Sequence, residues 1–219
     1  MNTIRAFQAQ GGFPSLPYVL TAPDDWDPKT ESLPLIVFLH GAGERGTDPS
    51  VLCSFPAITK VFSEDPSYHG LRVLTLSPQC PEEYVWSGLI FAVRELIETI
   101  ATDCNVDRDR ITITGVSMGG FGTWEMICSY PDVFAAAAPV CGGGMTWRAG
   151  SLKNMPLRVF HGGVDSVVEL AYSQMMTDAV NKAGGTATLT VCPGVDHNSW
   201  IQTYRDTDVI DWLAAQCRS

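Results

Sequence analysis

Ile111-Thr-Ile-Thr-Gly115-Val-Ser117-Met-Gly119-Gly-Phe-Gly122 is the stretch on which the reading of this chain turns. Ile111 to Thr114 alternate apolar and polar β-branched residues, the two-residue period of a short strand. The residues from Phe121 to Tyr130 read as a helix. Between them Ser117 has glycine two places before and two places after it, the pattern of a sharp strand-to-helix turn that lifts a serine hydroxyl above a sheet. Side chains at the glycine positions would collide with neighbouring backbone, and the serine is expected to be strained. The helix that begins there turns its free N-terminal amides toward the same hydroxyl. So short a pattern also arises by chance, so Ser117 is a candidate nucleophile only if the chain supplies it with partners.

Outward from this turn, strands and helices alternate. Residues 1–34 carry Phe7, Leu16, Tyr18, Val19 and Leu20 in alternating patches, which predicts one or two antiparallel strands at a sheet edge and then a proline-bearing loop. Leu35-Ile-Val-Phe-Leu39 is continuously apolar, as in a strand buried on both faces. Residues 51–62 suit a helix made irregular by Pro56, and Leu71–Leu76 a strand. From Leu89 to Ala101 one helical stripe carries Ile90, Val93, Leu96, Ile97 and Ile100, and Asp107–Arg110 read as a turn. Phe134–Val140, Leu157–Phe160 and Thr186–Val191 are further strands, Val168–Ala183 a helix, and Ser199–Gln216 a closing helix. Such alternation implies right-handed crossovers and a mainly parallel sheet with helices on both faces. About sixteen residues separate the strands at 134–140 and 157–160, too few for a cap domain. The expectation is a single α/β domain over residues 1–219 without a cap.

Composition narrows the class. With 45% hydrophobic and 17% charged residues the chain is globular. A net charge of −10 argues against nucleic acid as a partner, because phosphate binding needs a surplus of Lys and Arg. No apolar run approaches the ~20 residues that span a bilayer, and no signal peptide is visible, which favours a cytoplasmic over a secreted protein. The seven cysteines are scattered without a C-x-x-C pair, which opposes a zinc site and predicts mostly free, buried thiols, pairing only if the chain is exported. Neither H-x-x-x-H nor another clustered His/Asp/Glu pattern occurs, so neither metal nor cofactor is expected. Oligomeric state is not legible.

In an open α/β sheet functional groups gather beyond the carboxyl ends of the strands. Three polar residues follow predicted strands in the chain order Ser, Asp, His: Ser117, Asp165 in Phe160-His-Gly-Gly-Val-Asp165, and His197 in Pro193-Gly-Val-Asp-His197. Of the four histidines only His197 lies after the candidate acid. Among the acids, Asp178 falls inside a helix, Asp132 starts from a helix end, and Asp196 sits too close to His197 to accept its Nδ1 hydrogen. Taken singly, each residue has an ordinary structural explanation: a capping serine, a turn-forming aspartate, a surface histidine. In order and at strand ends they describe a nucleophile, an orienting acid and a general base for acyl transfer. Two backbone donors for the oxyanion are then expected from the N–H of Met118 and, after the strand ending at Leu39, the N–H of Ala42. His40 reads as a loop-packing residue.

These segments resemble the α/β-hydrolase superfamily, in particular compact phospholipase/carboxylesterase and polyhydroxybutyrate-depolymerase-like esterases, some known as predicted peptidases. The resemblance is carried by Phe38-Leu-His-Gly-Ala-Gly-Glu-Arg-Gly46, Ser77-Pro-Gln-Cys-Pro81 with Trp86, Gly115–Trp124, Ala138-Pro-Val-Cys-Gly-Gly143, His161–Asp165 and Pro193–His197, spanning roughly residues 35–200. It implies an α/β-hydrolase fold and hydrolysis of carboxylic esters through an acyl-enzyme. Glu44, Gln79, Trp86, Trp147 and Trp200 are candidate substrate contacts, an aromatic wall with a few polar groups that suits small or aryl acyl esters of small molecules. Trp86 and Trp200 are also read as core residues. A peptidase or acyltransferase on the same three residues stays open, as does a binding protein that has lost catalysis. A cysteine nucleophile is excluded because the turn holds Ser117.

Overall fold

In the computed structural model, which describes residues 2–218, eight strands join in one sheet: β1 (Asn2–Gln8), β2 (Ser15–Thr21), β3 (Leu33–Leu39), β4 (Leu74–Pro78), β5 (Val106–Val116), β6 (Ala136–Val140), β7 (Leu157–Gly162) and β8 (Ala187–Cys192). Their order across the sheet is β1-β2-β4-β3-β5-β6-β7-β8. The first two pairings, β1 with β2 and β2 with β4, are antiparallel; all others are parallel. The helices are α1 (Ile58–Glu64), α2 (Ile90–Asp103), α3 (Met118–Ser129), α4 (Leu170–Lys182), α5 (Trp200–Asp206) and α6 (Val209–Ala215).

Strand β3 shows why the layers form. Successive side chains of a strand point to opposite faces. Leu35, Val37 and Leu39 enter one core with Leu96, Ile97, Trp124 and Met176, on the side of α2, α3 and α4. Ile36 and Phe38 enter the other core with Ile58, Phe62, Tyr204 and Leu213, on the side of α1, α5 and α6. Every residue of the strand is buried, so no polar alternation is left in its sequence. The six strands β3 to β8 run the same way and bring their carboxyl ends to one edge, where the loops containing Gly41, Ser117, Asp165 and His197 emerge.

The structure departs from the sequence reading in four places. The irregular helix expected over 51–62 is a 3₁₀ segment, Pro49–Cys53, followed after a break by α1. The residues Asp107–Arg110 belong to β5 rather than to a turn, extended with Arg108 and Asp109 exposed, and the pairing with β3 shifts register between Leu33 and Leu35. Strand β4 lies at Leu74–Pro78, toward the carboxyl end of the apolar run at 71–76. The closing helix is two helices, because Thr207 is extended (φ −122°, ψ 167°) and its hydroxyl accepts the Val209 N–H at 3.2 Å while donating to the Thr203 carbonyl at 2.6 Å. A hydroxyl that satisfies both helix ends competes with helix continuation. Between β6 and β7 lies a short 3₁₀ segment, Thr146–Leu152. Among the described residues no helix is long and apolar enough to cross a membrane.

Candidate active site

The turn after β5 takes the strained form that its glycines predict. Ser117 has φ 54° and ψ −118°, a positive φ that a non-glycine residue rarely adopts. Its N–H donates to the Val140 carbonyl at 3.0 Å, and its carbonyl accepts the Phe121 N–H at 3.0 Å, so both neighbours of the strain hold it in place. The serine Oγ lies 2.8 Å from Nε2 of His197. The Nδ1 of His197 lies 2.8 Å from Oδ2 and 3.1 Å from Oδ1 of Asp165. A carboxylate only accepts, so Nδ1 carries the hydrogen and Nε2 is left to receive the serine proton.

Asp165 has a fully buried side chain, whereas His197 retains 18% exposure. Burial pushes the Asp165 carboxyl up, but the hydrogen bond from His197 and the N–H groups of Val168 (2.8 Å) and Val167 (2.9 Å) outweigh it and hold the group below its ordinary range. It is ionised wherever His197 needs it. Helix α4 starts at Leu170 and not at Val168, because Glu169 is extended (φ −59°, ψ 133°).

Asp196 is not the orienting acid. Its carboxylate accepts the Ser166 N–H (2.8 Å), the Ser166 hydroxyl (2.9 Å) and the His197 N–H (2.8 Å), which staples the acid loop to the base loop. The two loops touch elsewhere as well: a Cβ on Gly162 would stand 2.3 Å from the Asp196 carbonyl oxygen. Sequence spacing carries no signal of this staple, because Asp196 and Ser166 are thirty residues apart.

The N–H of Met118 opens α3 and that of Ala42 opens a short 3₁₀ turn (Ala42–Glu44); neither donates to another group among the described residues. A Cβ built on Gly41 would lie 3.7 Å from Cβ of Ser117, which puts this loop against the hydroxyl. Both candidate oxyanion donors are therefore free and on loops that border Ser117.

His40 is fully buried, with Nε2 accepting the Cys80 N–H at 2.9 Å and Nδ1 donating to the Gly41 carbonyl at 2.6 Å. Burial lowers its pKa from 6.5 to about 4, the Arg45 charge adding to the effect against the pull of the Gly41 carbonyl. Between these values the unfolded chain binds a proton that the folded chain refuses, so stability falls as pH drops from 6.5 toward 4. The loss should approach about 3 kcal/mol. Urea unfolding of the wild type across this window should show it, and His40→Gln should give a flatter dependence on pH.

The five expected substrate contacts separate. Trp86 is buried; its indole N–H donates to the His40 carbonyl at 2.9 Å, and its ring edge packs on His40 at 5.0 Å, which fixes the loop after β3. It also lines an apolar cavity of about 500 Å³ with Met118, Phe121, Gly143, Met145 and Tyr172. Glu44 and Gln79 line a separate cavity of about 520 Å³ together with Phe55. Gln79 is almost wholly buried and donates from Nε2 to the Glu44 carbonyl at 2.9 Å, so it braces the loop. Burial raises the pKa of Glu44. Trp200 stands perpendicular to the His197 ring at 5.4 Å and packs on Phe55 at 5.8 Å, so it backs the base.

Trp147 is a correction: it is 78% exposed and lines neither cavity, because the 3₁₀ segment that carries it buries Ala149 and Leu152 instead. The residues missed in the sequence are Phe121 and Tyr172, whose rings meet edge to face at 5.7 Å over the apolar cavity. Phe121, four residues beyond the candidate nucleophile, was the legible one.

The Sγ of Cys141 lies within 4.8 Å of ligand atoms of Asp165 and His197. Burial pushes this thiol up to about 12, so it stays protonated. All seven cysteines are free, and Cys217 is exposed.

A mainly parallel eight-stranded sheet with Ser, Asp and His carried in that order on loops beyond β5, β7 and β8 is the architecture of the α/β hydrolases. Within that class, the chain belongs to the dienelactone hydrolase family, which it matches over residues 83–214. A crystal structure of a thermostable esterase is 36% identical and superposes with a TM-score of 0.90, over 99% of this chain and 63% of that one. An S-formylglutathione hydrolase from Agrobacterium tumefaciens shares the fold at 16% identity, with a TM-score of 0.76 over 99% of this chain and 95% of that one. Poly(3-hydroxyalkanoate) depolymerase C of Paucimonas lemoignei is 38% identical over 56 residues, 26% of this chain and 14% of that protein. The chain thus spans less than two thirds of the thermostable esterase and matches only a small part of the depolymerase.

Proposed function

We propose that this protein is a serine carboxylesterase that acts through an acyl-enzyme, with Ser117 as nucleophile, His197 as general base and then acid, and Asp165 as the group that orients His197. The observation that carries the reading is the unbroken line of 2.8 Å contacts from Ser117 Oγ through the His197 ring to Asp165 Oδ2. His197 takes the serine proton as Oγ attacks the ester carbonyl, and the N–H groups of Met118 and Ala42 receive the oxyanion. The tetrahedral adduct collapses as His197 returns the proton to the leaving alcohol, and water repeats the sequence to free the acid. Family membership and the 36%-identical thermostable esterase support ester over amide as the substrate bond.

The cavity beside Met118 supports the acyl preference. Its lining includes Trp86, Phe121, Met145 and Tyr172, an aromatic wall that suits a short chain or a single aromatic ring. A p-nitrophenyl ester series from acetyl to dodecanoyl, run beside an aryl acyl ester, tests this. Turnover should peak at short or aryl acyl groups; a rate that climbs through to dodecanoyl would sink the preference, and no turnover of any member would sink the esterase reading.

A further inference from the structure

We infer that His161, at the carboxyl end of β7 before the acid loop, is a positioning residue for Asp165; this rests on the esterase reading above. His161 is fully buried, and a buried imidazole needs partners for both nitrogens. Its Nε2 lies 2.9 Å from the Val168 carbonyl and 3.3 Å from Oδ2 of Asp165. Both are acceptors, so Nε2 carries the hydrogen. That hydrogen serves the carboxylate in two ways. It faces Oδ2, the oxygen that His197 also approaches, and it pins Val168, whose N–H donates to Oδ1 at 2.8 Å.

The backbone amides of Val167 and Val168 hold Oδ1, and His161 is the side chain of β7 that faces Oδ2. Val164 and Val167 are 59% and 69% exposed, so no apolar packing seats the residues on either side of Asp165. The other nitrogen, Nδ1, lies 2.7 Å from Oγ of Ser173 on α4, and Ser173 reaches the Gly142 carbonyl at 2.9 Å. This second link ties α4 to the end of β6 and is structural. The two nitrogens of one ring thus have separable tasks: Nε2 holds the acid, and Nδ1 holds a helix.

Two substitutions separate them, because the amide nitrogen of glutamine reaches the place of Nε2 and the amide of asparagine reaches only that of Nδ1. His161→Asn should lower kcat on a p-nitrophenyl ester by about tenfold to a hundredfold with KM changed by less than about twofold, since only transition-state alignment is lost. His161→Gln should restore kcat to within about threefold of wild type. Ser173→Ala cuts the helix link alone and should lower the melting temperature while leaving kcat in place, and it carries the test if His161→Asn does not fold. Fluorophosphonate labelling of wild type but not of Ser117→Ala shows separately that the esterase reading stands. If Asn and Gln at 161 then give equal kcat values, or Ser173→Ala lowers kcat as much as His161→Asn, His161 is a helix strap and the inference is wrong. A wild type that neither labels nor turns over removes the esterase reading and this inference with it.

Discussion

Ser117→Ala is expected to lower kcat for ester hydrolysis by about 10⁶-fold while the protein folds as before. The side chain is only part-buried, and among the described residues its hydroxyl bonds to His197 and to no other group. Its removal therefore leaves no stranded partner in the core and opens no large cavity. Both backbone anchors of the turn, to Val140 and from Phe121, survive the change. What disappears is the oxygen that forms the acyl-enzyme in the proposed mechanism. The residual rate should come from water activated by His197 and from the two amides, the same residue of catalysis that other triad hydrolases keep when their serine is removed. Circular dichroism and a melting curve establish the fold, and a fluorophosphonate probe should label wild type alone. A variant that retained a hundredth of the wild-type kcat would mean that another group attacks the ester.

Gly119→Ala is expected to cost the folded state. An added Cβ would lie 1.9 Å from the carbonyl oxygen of Leu39, 2.4 Å from its carbon and 2.7 Å from the carbonyl oxygen of His40. These are backbone atoms at the buried end of β3, so no side chain can swing away. Either α3 or the end of the sheet must move by more than about an ångström, in an interior packed as densely as an organic crystal. Ordinary overpacking costs about 1–3 kcal/mol, and a backbone-on-backbone collision should exceed about 4 kcal/mol, much of the net stability of a domain. The expected readout is insoluble protein, or soluble protein with a greatly lowered urea midpoint and no activity. Gly43→Ala is the control: a Cβ there meets nothing within 4 Å, and its unfolding free energy in urea should stay within about 1 kcal/mol of wild type. Equal midpoints for the two variants would show that the close approach of α3 to β3 is not what requires glycine.

The two glycine variants mark how far the site was legible. Ser117 between Gly115 and Gly119 could be read because the turn admits few residues, and each constraint leaves a letter in the sequence. Asp165 and His197 could be read because a parallel sheet sends its functional loops to one edge, so that position after a strand is itself evidence. Trp147 was misread on that same logic: it follows β6, but the 3₁₀ segment packs Ala149 and Leu152 inward and leaves the indole in solvent. Phe121 and Tyr172 sit on helices fifty-one residues apart, and no local pattern signals that their rings meet. The break of the closing helix at Thr207 was hidden for a similar reason, since Thr in a helix is only mildly unfavourable until its hydroxyl finds Val209.

Sequence alone thus determined what depends on neighbours along the chain. The apolar run of β3, the glycines around Ser117 and the order of Ser117, Asp165 and His197 follow from local sterics and from strand-helix alternation. The tertiary structure decided what depends on neighbours across space. It gave Asp165 two backbone amides and two imidazoles, assigned Asp196 to a staple between loops, closed Trp86 against His40, and shaped the cavity beside Met118. Hydrogen bonds and packing contacts act over a few ångströms, and only the folded chain sets which residues come that close.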